Sequence, residues 1–300
     1  MTLSESLQQY FGFNSFRGGQ EEVITQLLNG KSSLAVFPTG SGKSLCYQLP
    51  ALHFPGLTLV ISPLIALMKD QIDFLLSKGI PAAKIDSTLS YDEVKNVWQN
   101  VENGSLKLLY IAPERLANEK FLNRLKKMQI SMMVVDEAHC MSEWGHNFRP
   151  DYLKLPQIAQ ALQAERVLTL TATATPAVAQ NICQLFSITP EAYVNIGYYR
   201  PNLKIRLTPC HHQEKKPLLL DRIMNQPRGA TIIYVTLQKE TEEIADFLRQ
   251  NNFEALSYHA GMKSEDRHAI QEQFMNSTDA IVVATIAFGM GIDKANIRYV

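Results

Sequence analysis

The sequence predicts an α/β protein of parallel sheets flanked by helices, arranged as two lobes. Three observations predict it. Short apolar runs alternate with helical patterns along its 300 residues. One run, Ser33-Leu-Ala-Val36, feeds a glycine-punctuated loop, Phe37-Pro-Thr-Gly-Ser-Gly-Lys-Ser44. Another, Met132-Met-Val-Val135, ends on the carboxylates of Asp136-Glu-Ala-His139. Strands alternating with helices imply βαβ units, and so a parallel sheet covered on both faces.

In chain order, strands are expected over 33–37, 57–61, 106–111, 131–135, 166–171, 230–235, 253–257, 280–284 and 297–300. Helical patterns over 42–52, 64–78, 91–103, 176–185 and 239–250 lie between them. Residues 196–209 read as extended, because Pro201 and Pro209 break helix, and the polar stretch 211–217 follows. The domain boundary is expected there, giving lobes 1–205 and 206–300. The loop 145–150, just past the carboxylates, reads as functional and not as a domain break.

An apolar fraction of 46% with 19% charged residues describes a globular chain, not a disordered or fibrous one. No apolar stretch approaches the roughly 20 residues of a membrane span, and the N-terminus carries neither basic n-region nor apolar h-region. The expected location is therefore the cytoplasm, nucleoid-associated, or a nucleus in a eukaryote. Cys46, Cys140, Cys183 and Cys210 stand far apart without a Cys-x-x-Cys pair, which predicts reduced thiols and neither zinc site nor disulfide framework. The 29 basic residues balance 29 acidic ones, and the balance holds separately within 1–200 and 201–300. A nucleic-acid partner would therefore need a local basic groove, with salt-sensitive binding.

A loop of this kind turns successive backbone N–H groups inward as an anion cradle, here Thr39, Gly40, Ser41 and Gly42. Lys43 then reaches the β- and γ-phosphates, and Ser44 supplies an oxygen to Mg²⁺. Phe37 stands where the general phosphate-loop pattern has its first glycine, which speaks against a kinase or GTPase. At the end of its strand, beside the loop, Asp136 would hold Mg²⁺ and Glu137 would orient or deprotonate water. The two motifs together specify nucleoside-triphosphate hydrolysis.

Upstream lies Phe11-Gly-Phe13-Asn-Ser-Phe16-Arg17-Gly-Gly-Gln20. A carboxamide both donates to and accepts from an adenine edge, and an aromatic with an arginine can sandwich the ring. Phe13, Arg17 and Gln20 are the expected adenine contacts. For Phe11 and Phe16 a place in an aromatic core is an equal alternative.

Further segments give the chain a specific resemblance to the RecQ family of ATP-dependent DNA helicases, within superfamily 2. Leu59-Val-Ile-Ser-Pro-Leu-Ile-Ala-Leu-Met-Lys-Asp-Gln71 and Leu109-Tyr-Ile-Ala-Pro-Glu-Arg-Leu116 resemble its first DNA-contacting motifs. Ser142-Glu-Trp-Gly-His-Asn-Phe-Arg-Pro-Asp-Tyr152 is similar to its aromatic-rich loop, which RNA helicases with the same carboxylate box lack. Leu170-Thr-Ala-Thr-Ala174, Tyr258-His-Ala-Gly-Met262 with Arg267, and the segment from Ala284 to Lys294 resemble later motifs.

The resemblance implies two RecA-like P-loop lobes that bind ATP with Mg²⁺ and translocate 3′→5′ along single-stranded DNA, unwinding duplex junctions in recombination and repair. It implies DNA-facing or coupling roles for Ser62, Arg115, His139, Trp144, His146, Phe148, Arg149, Thr171, Thr173, Arg267 and Thr285. Trp144 and Phe148 offer faces for unstacked bases, though core anchoring is an alternative for each ring. His139 and His146 would carry a hydrogen-bond change to the ATP site. A monomer is expected, meeting DNA and repair proteins but no membrane.

Three positions depart from the family pattern: Glu143 in place of glutamine, Asn147 in place of aspartate, and Tyr234-Val-Thr-Leu-Gln-Lys239 in place of the usual fourth motif. The sixth motif, with its paired arginines, would follow Val300, so the second lobe is expected to be incomplete. Two rivals follow: a truncated ATP-dependent DNA-binding module without turnover, and an RNA-remodelling helicase of the same superfamily.

Overall fold

The computed structural model describes residues 2–63, 65–86, 88–142, 149–200, 202–289, 292 and 294–300. The chain divides into two compact units, Met1–Leu203 and Lys204–Val300.

In the first unit, β1 (Ser33–Val36), β2 (Leu57–Ile61), β3 (Ala82–Ile85), β4 (Leu108–Ile111), β5 (Ile130–Val135), β6 (Val167–Thr171) and β7 (Tyr193–Asn195) form one sheet. Their order is β3-β4-β2-β5-β6-β1-β7, with every pairing parallel. β1, β2, β4, β5 and β6 are buried at every position. Continuous apolar runs suit a parallel sheet whose two faces are both covered.

Successive side chains point to opposite faces and so feed two separate cores. Leu34, Val36, Leu59, Ile61, Met133 and Val135 enter one. Ala35, Phe37, Val60, Met132, Val134 and Leu170 enter the other. The helices begin at local signals. Ser90 and Glu93 exchange side-chain-to-backbone bonds as a capping box ahead of helix Tyr91–Glu102. Thr175 caps helix Pro176–Leu185, and Pro176 occupies its first position.

The second unit holds β8 (Ala230–Tyr234), β9 (Ala255–Tyr258), β10 (Ile281–Ala284) and β11 (Ile297–Tyr299), parallel in the order β11-β8-β10-β9. Phe274, Phe288, Ile232 and Val282 fill one face, and Ala245, Leu248 and Val283 the other.

Two strands lie outside the sequence expectation. β3 is a short edge strand carrying the half-buried Lys84, and its pattern is too brief to separate from a loop. β7 has only three residues and exists because its backbone pairs with β1. Helices Gln20–Leu28, Glu119–Leu125, Leu155–Ala161, Lys215–Met224 and Ser264–Asn276 also add to those expected. The helix after the phosphate loop starts at Leu45 and not at residue 42, because Gly42 has φ +81° and belongs to the turn.

Candidate nucleotide site

β1 delivers its phosphate loop to the C-terminal edge of the first sheet, where open parallel sheets bind ligands. The loop is pinned from several sides. Phe37 N donates to Thr171 O of β6 at 3.0 Å. Ser41 Oγ donates to Pro38 O at 2.7 Å. Gly40 and Gly42 adopt φ +80° and +81°, the left-handed region that glycine enters without strain. Thr39, Gly40 and Gly42 are exposed, while Lys43 and Ser44 are half-buried.

Phe37 explains why a glycine is unnecessary at its position. Its side chain is fully buried and closes against Gly19. A Cβ on Gly19 would lie 2.8 Å from the Phe37 ring and 2.7 Å from Ile196 Cγ2, and Gly19 has φ +74°. Gly19→Ala is therefore expected to destabilise the protein by about 1–3 kcal/mol in chemical denaturation. An unchanged midpoint would mean that Phe37 and Ile196 yield freely.

Lys43 Nζ donates to Phe37 O at 3.0 Å and to Pro38 O at 3.3 Å, folding back over the cradle. Burial pulls its pKa below the usual lysine range. The charges of Glu137 and Asp136 push it back up, and Arg200 pulls it down. Lysine and carboxylates thus share one electrostatic environment, although β6 stands between β1 and β5. They meet across the end of β6, and not from adjacent strands.

Asp136 follows β5 and is fixed from both ends. Its N–H donates to Ile61 O at 2.9 Å, and Tyr152 Oη donates to Asp136 O at 3.0 Å. Ser62 Oγ donates to Oδ2 at 3.1 Å, and Glu137 N to Oδ1 at 3.0 Å. Burial, joined by the Glu137 charge, pushes the Asp136 carboxyl up to about 6 despite these bonds. A carboxyl raised in the folded state costs stability above its folded value, and that cost is relieved as pH falls through it. Without nucleotide or cation, Asp136→Asn is expected to be more stable than the parent at pH 8, by about 2 kcal/mol. The difference should vanish toward pH 4; urea titrations at both pH values measure it, and a constant difference would contradict the raised carboxyl.

Glu137 opens the short 3₁₀ turn Ala138–Met141 with φ +50°, left-handed backbone for a residue with a long side chain. Its Oε2 lies 3.2 Å from His139 Nδ1, which also lies 2.9 Å from Thr171 Oγ1. Burial lowers the His139 imidazole, but the Cys140 sulfur and the Glu137 carboxylate beside it outweigh burial and raise it to about 9. Thr171 Oγ1 in turn donates to Thr173 O at 3.3 Å. His139 therefore ties the carboxylate turn to the end of β6, whose carbonyl also holds the phosphate loop.

The other expected residues fall as follows. Gln20 is buried, and its Nε2 donates to Ser41 O at 3.1 Å and Gly42 O at 3.0 Å, while its Oε1 accepts from Arg17 N at 2.8 Å. Its carboxamide thus fastens the phosphate loop and is not open toward a base. Phe13 is 45% exposed and Arg17 exposed, so both rings and charges there face outward. Phe11 is buried and stacks on Phe74, and Phe16 packs on the same core, which settles the core alternative for Phe11.

Ser62, expected on the DNA-facing side, is buried with its hydroxyl on Asp136, so it belongs to the carboxylate site. Arg115 donates to Asp86 O at 3.1 Å, with its Nε buried and unpartnered. Arg149 N donates to Cys140 O at 2.8 Å. Thr173 is exposed. In the second unit, Arg267 is half-buried on helix Ser264–Asn276, and Thr285 is buried just past β10. Trp144, His146 and Phe148, with Glu143 and Asn147, lie outside the described residues.

Sequence reasoning missed Tyr152 as the clamp on Asp136 and Arg200 beside the loop. Neither had a local signal, since each acts through the fold. Among the described residues, no group of three or more His, Cys, Asp and Glu side chains is placed to hold a metal, and no helix is long and apolar enough to cross a membrane. The four cysteines are free.

Comparison with known proteins bears on this geometry. The family model of DEAD/DEAH box helicases matches residues 17–182, and that of the helicase conserved C-terminal domain matches 214–300. ATP-dependent DNA helicase RecQ of Pasteurella multocida is 42% identical across 100% of this chain and 47% of its own length. RecQ of Bacillus subtilis is 42% identical over 98% of the chain and 50% of its own length. The RecQ-like DNA helicase BLM of Xenopus laevis is 37% identical over 97% of the chain. The chain spans about half the length of the two bacterial relatives.

Proposed function

The chain belongs to the RecQ family of ATP-dependent DNA helicases, and from that premise we propose that it couples ATP hydrolysis to 3′→5′ translocation on single-stranded DNA and duplex unwinding in recombination and repair. The observation that carries this reading is the meeting of Lys43, Asp136, Glu137 and His139 at one edge of the first sheet.

Asp136 and Ser44 suit Mg²⁺. A buried carboxylate with a raised proton affinity lacks counter-charge, which a hard cation supplies, and such sites use few protein ligands alongside the substrate phosphates. When bound, the ion would neutralise charge on the phosphate oxygens. Lys43 exchanges its two loop carbonyls for phosphate oxygens, with the backbone from Thr39 to Ser44 as the cradle. Glu137 orients water and accepts its proton. Tyr152 and Ser62 hold Asp136 in place. Phe13 and Arg17 receive the adenine, and Gln20 joins them by giving up its bonds to Ser41 and Gly42.

His139, Thr171 and Thr173 form the link toward DNA, with Arg115, Arg149, Arg267 and Thr285 on the strand. Trp144, His146 and Phe148 keep their coupling role on the sequence resemblance alone. We assign DNA as the partner, a monomer as the working state, and the cytoplasm with the nucleoid, or a nucleus, as the location.

The test is ATP hydrolysis by the 300-residue chain with and without single-stranded DNA. Stimulation by DNA supports the helicase reading. Equal or greater stimulation by RNA would transfer the chain to RNA remodelling. ATP-dependent DNA binding without turnover would make it the non-hydrolysing module.

A further inference from the structure

β7 pairs with β1 in parallel, Val36 opposite Asn195, so the residues after β7 emerge at the same edge as the phosphate loop. Their path is fixed. Ile196 N donates to Val36 O at 3.3 Å. Asn195 Oδ1 accepts from Gly197 N at 2.8 Å, and Gly197 turns the chain at φ +82°. Tyr198 Oη then donates to Ala174 O, holding the segment against the end of β6.

This turn brings Arg200 to the cradle. One guanidinium nitrogen, Nη2, lies 3.9 Å from where a Cβ on Gly40 would stand. The side chain is half-buried, and among the described residues no hydrogen bond or ion pair engages its guanidinium. Two cations, Lys43 and Arg200, therefore stand at one glycine loop, and the arginine charge disfavours the lysine's. An unpaired, partly desolvated guanidinium beside a second cation is matched by a polyanion with several oxygens.

We propose that Arg200 is a nucleotide-binding residue that contacts the polyphosphate of the bound nucleoside triphosphate, a role supplied wholly within the first unit. This rests on the ATP-binding reading above and adds to it a phosphate ligand from outside the phosphate loop. Lys43 lies on the Phe37 and Pro38 carbonyls and Arg200 beside Gly40, so the phosphates are held by two cations on separate chain segments.

The test is binding of a fluorescent ATP analogue, mant-ATP with Mg²⁺, to the 300-residue chain. Arg200→Ala is expected to weaken binding about 10- to 100-fold, the range of a charge-assisted contact to phosphate. Arg200→Lys should recover part of the loss, and competition by adenosine, which has no phosphate, should be unchanged. Far-UV circular dichroism and the melting midpoint without nucleotide should match the parent, since the side chain has no internal partner to lose. Parental affinity in Arg200→Ala, alongside a large loss in Lys43→Ala, would overturn the proposal and leave the ATP site standing. No binding by the parent chain would overturn both.

Discussion

Glu137→Gln is expected to lower DNA-stimulated ATP hydrolysis about 10²- to 10⁴-fold, the range for removing a general base, with ATP affinity nearly unchanged. The geometry separates the two effects. On the proposed reading phosphate binding falls to the loop amides, Lys43 and Arg200, whereas the Glu137 carboxylate faces His139 at 3.2 Å. Glutamine keeps the shape and a hydrogen bond to the ring but accepts no proton at neutral pH. The backbone adds a second readout. Holding a long side chain at φ +50° costs about 1 kcal/mol, a cost that sites of function tolerate. Asparagine enters the left-handed region more readily. Glu137→Asn relieves that backbone cost but gives up the carboxylate paired with His139, so it should be no more stable than the parent at neutral pH, while equally inactive. Parental hydrolysis by Glu137→Gln would move the base elsewhere, and a strongly destabilised Glu137→Asn would mean the turn depends on the longer side chain.

Lys43→Ala is expected to lose ATP affinity by about 100-fold or more, from two charge-assisted bonds to phosphate at about 1.5–3 kcal/mol each. Its stability should move the other way. The folded state holds this ammonium below its ordinary pKa chiefly through burial, so the charge is a net cost throughout the neutral range. Of the two carbonyls released by the substitution, that of Phe37 lies in a buried residue and that of Pro38 in a half-buried one, beside the exposed Thr39 and Gly40, where water can enter the space the lysine leaves. Urea denaturation of the nucleotide-free variant should show no loss. A loss of affinity with an equal loss of stability would instead make Lys43 a structural strut.

What the sequence carried legibly was chemistry at fixed spacing and strands buried on both faces. Gly42-Lys43-Ser44 and Asp136-Glu137 are local patterns whose residue types have few other uses together, and β1, β2 and β5 are unbroken apolar runs. What it hid was contact across the fold. Ser62 carries a DNA-facing role on the family resemblance, yet the pairing of β2 with β5 sets its hydroxyl on Asp136. Gln20 reads as a free carboxamide, yet helix Gln20–Leu28 begins where the phosphate loop ends, and the loop takes the amide first. β7 and the turn that aims Arg200 have almost no intrinsic strand signal, and their positions follow from β1. Tyr152 looks like one more aromatic in a rich segment until its hydroxyl is found on the Asp136 carbonyl.

The closure of Phe37 on Gly19 ties the evolutionary fates of two positions. A lineage that placed glycine at residue 37 would open a void beneath the turn 17–20, and one that placed any side chain at residue 19 would expel the ring. Glycine at residue 37 alone would not free residue 19, because Ile196 and the left-handed backbone still exclude a side chain there. Because Arg17 and Gln20 ride on that same turn, a nucleotide loop transplanted from a distant relative would arrive without the surface that seats them. Exchange between such proteins should therefore succeed only when residues 17–20 and 37–44 travel as one block, which makes this pair a unit of inheritance as much as of structure.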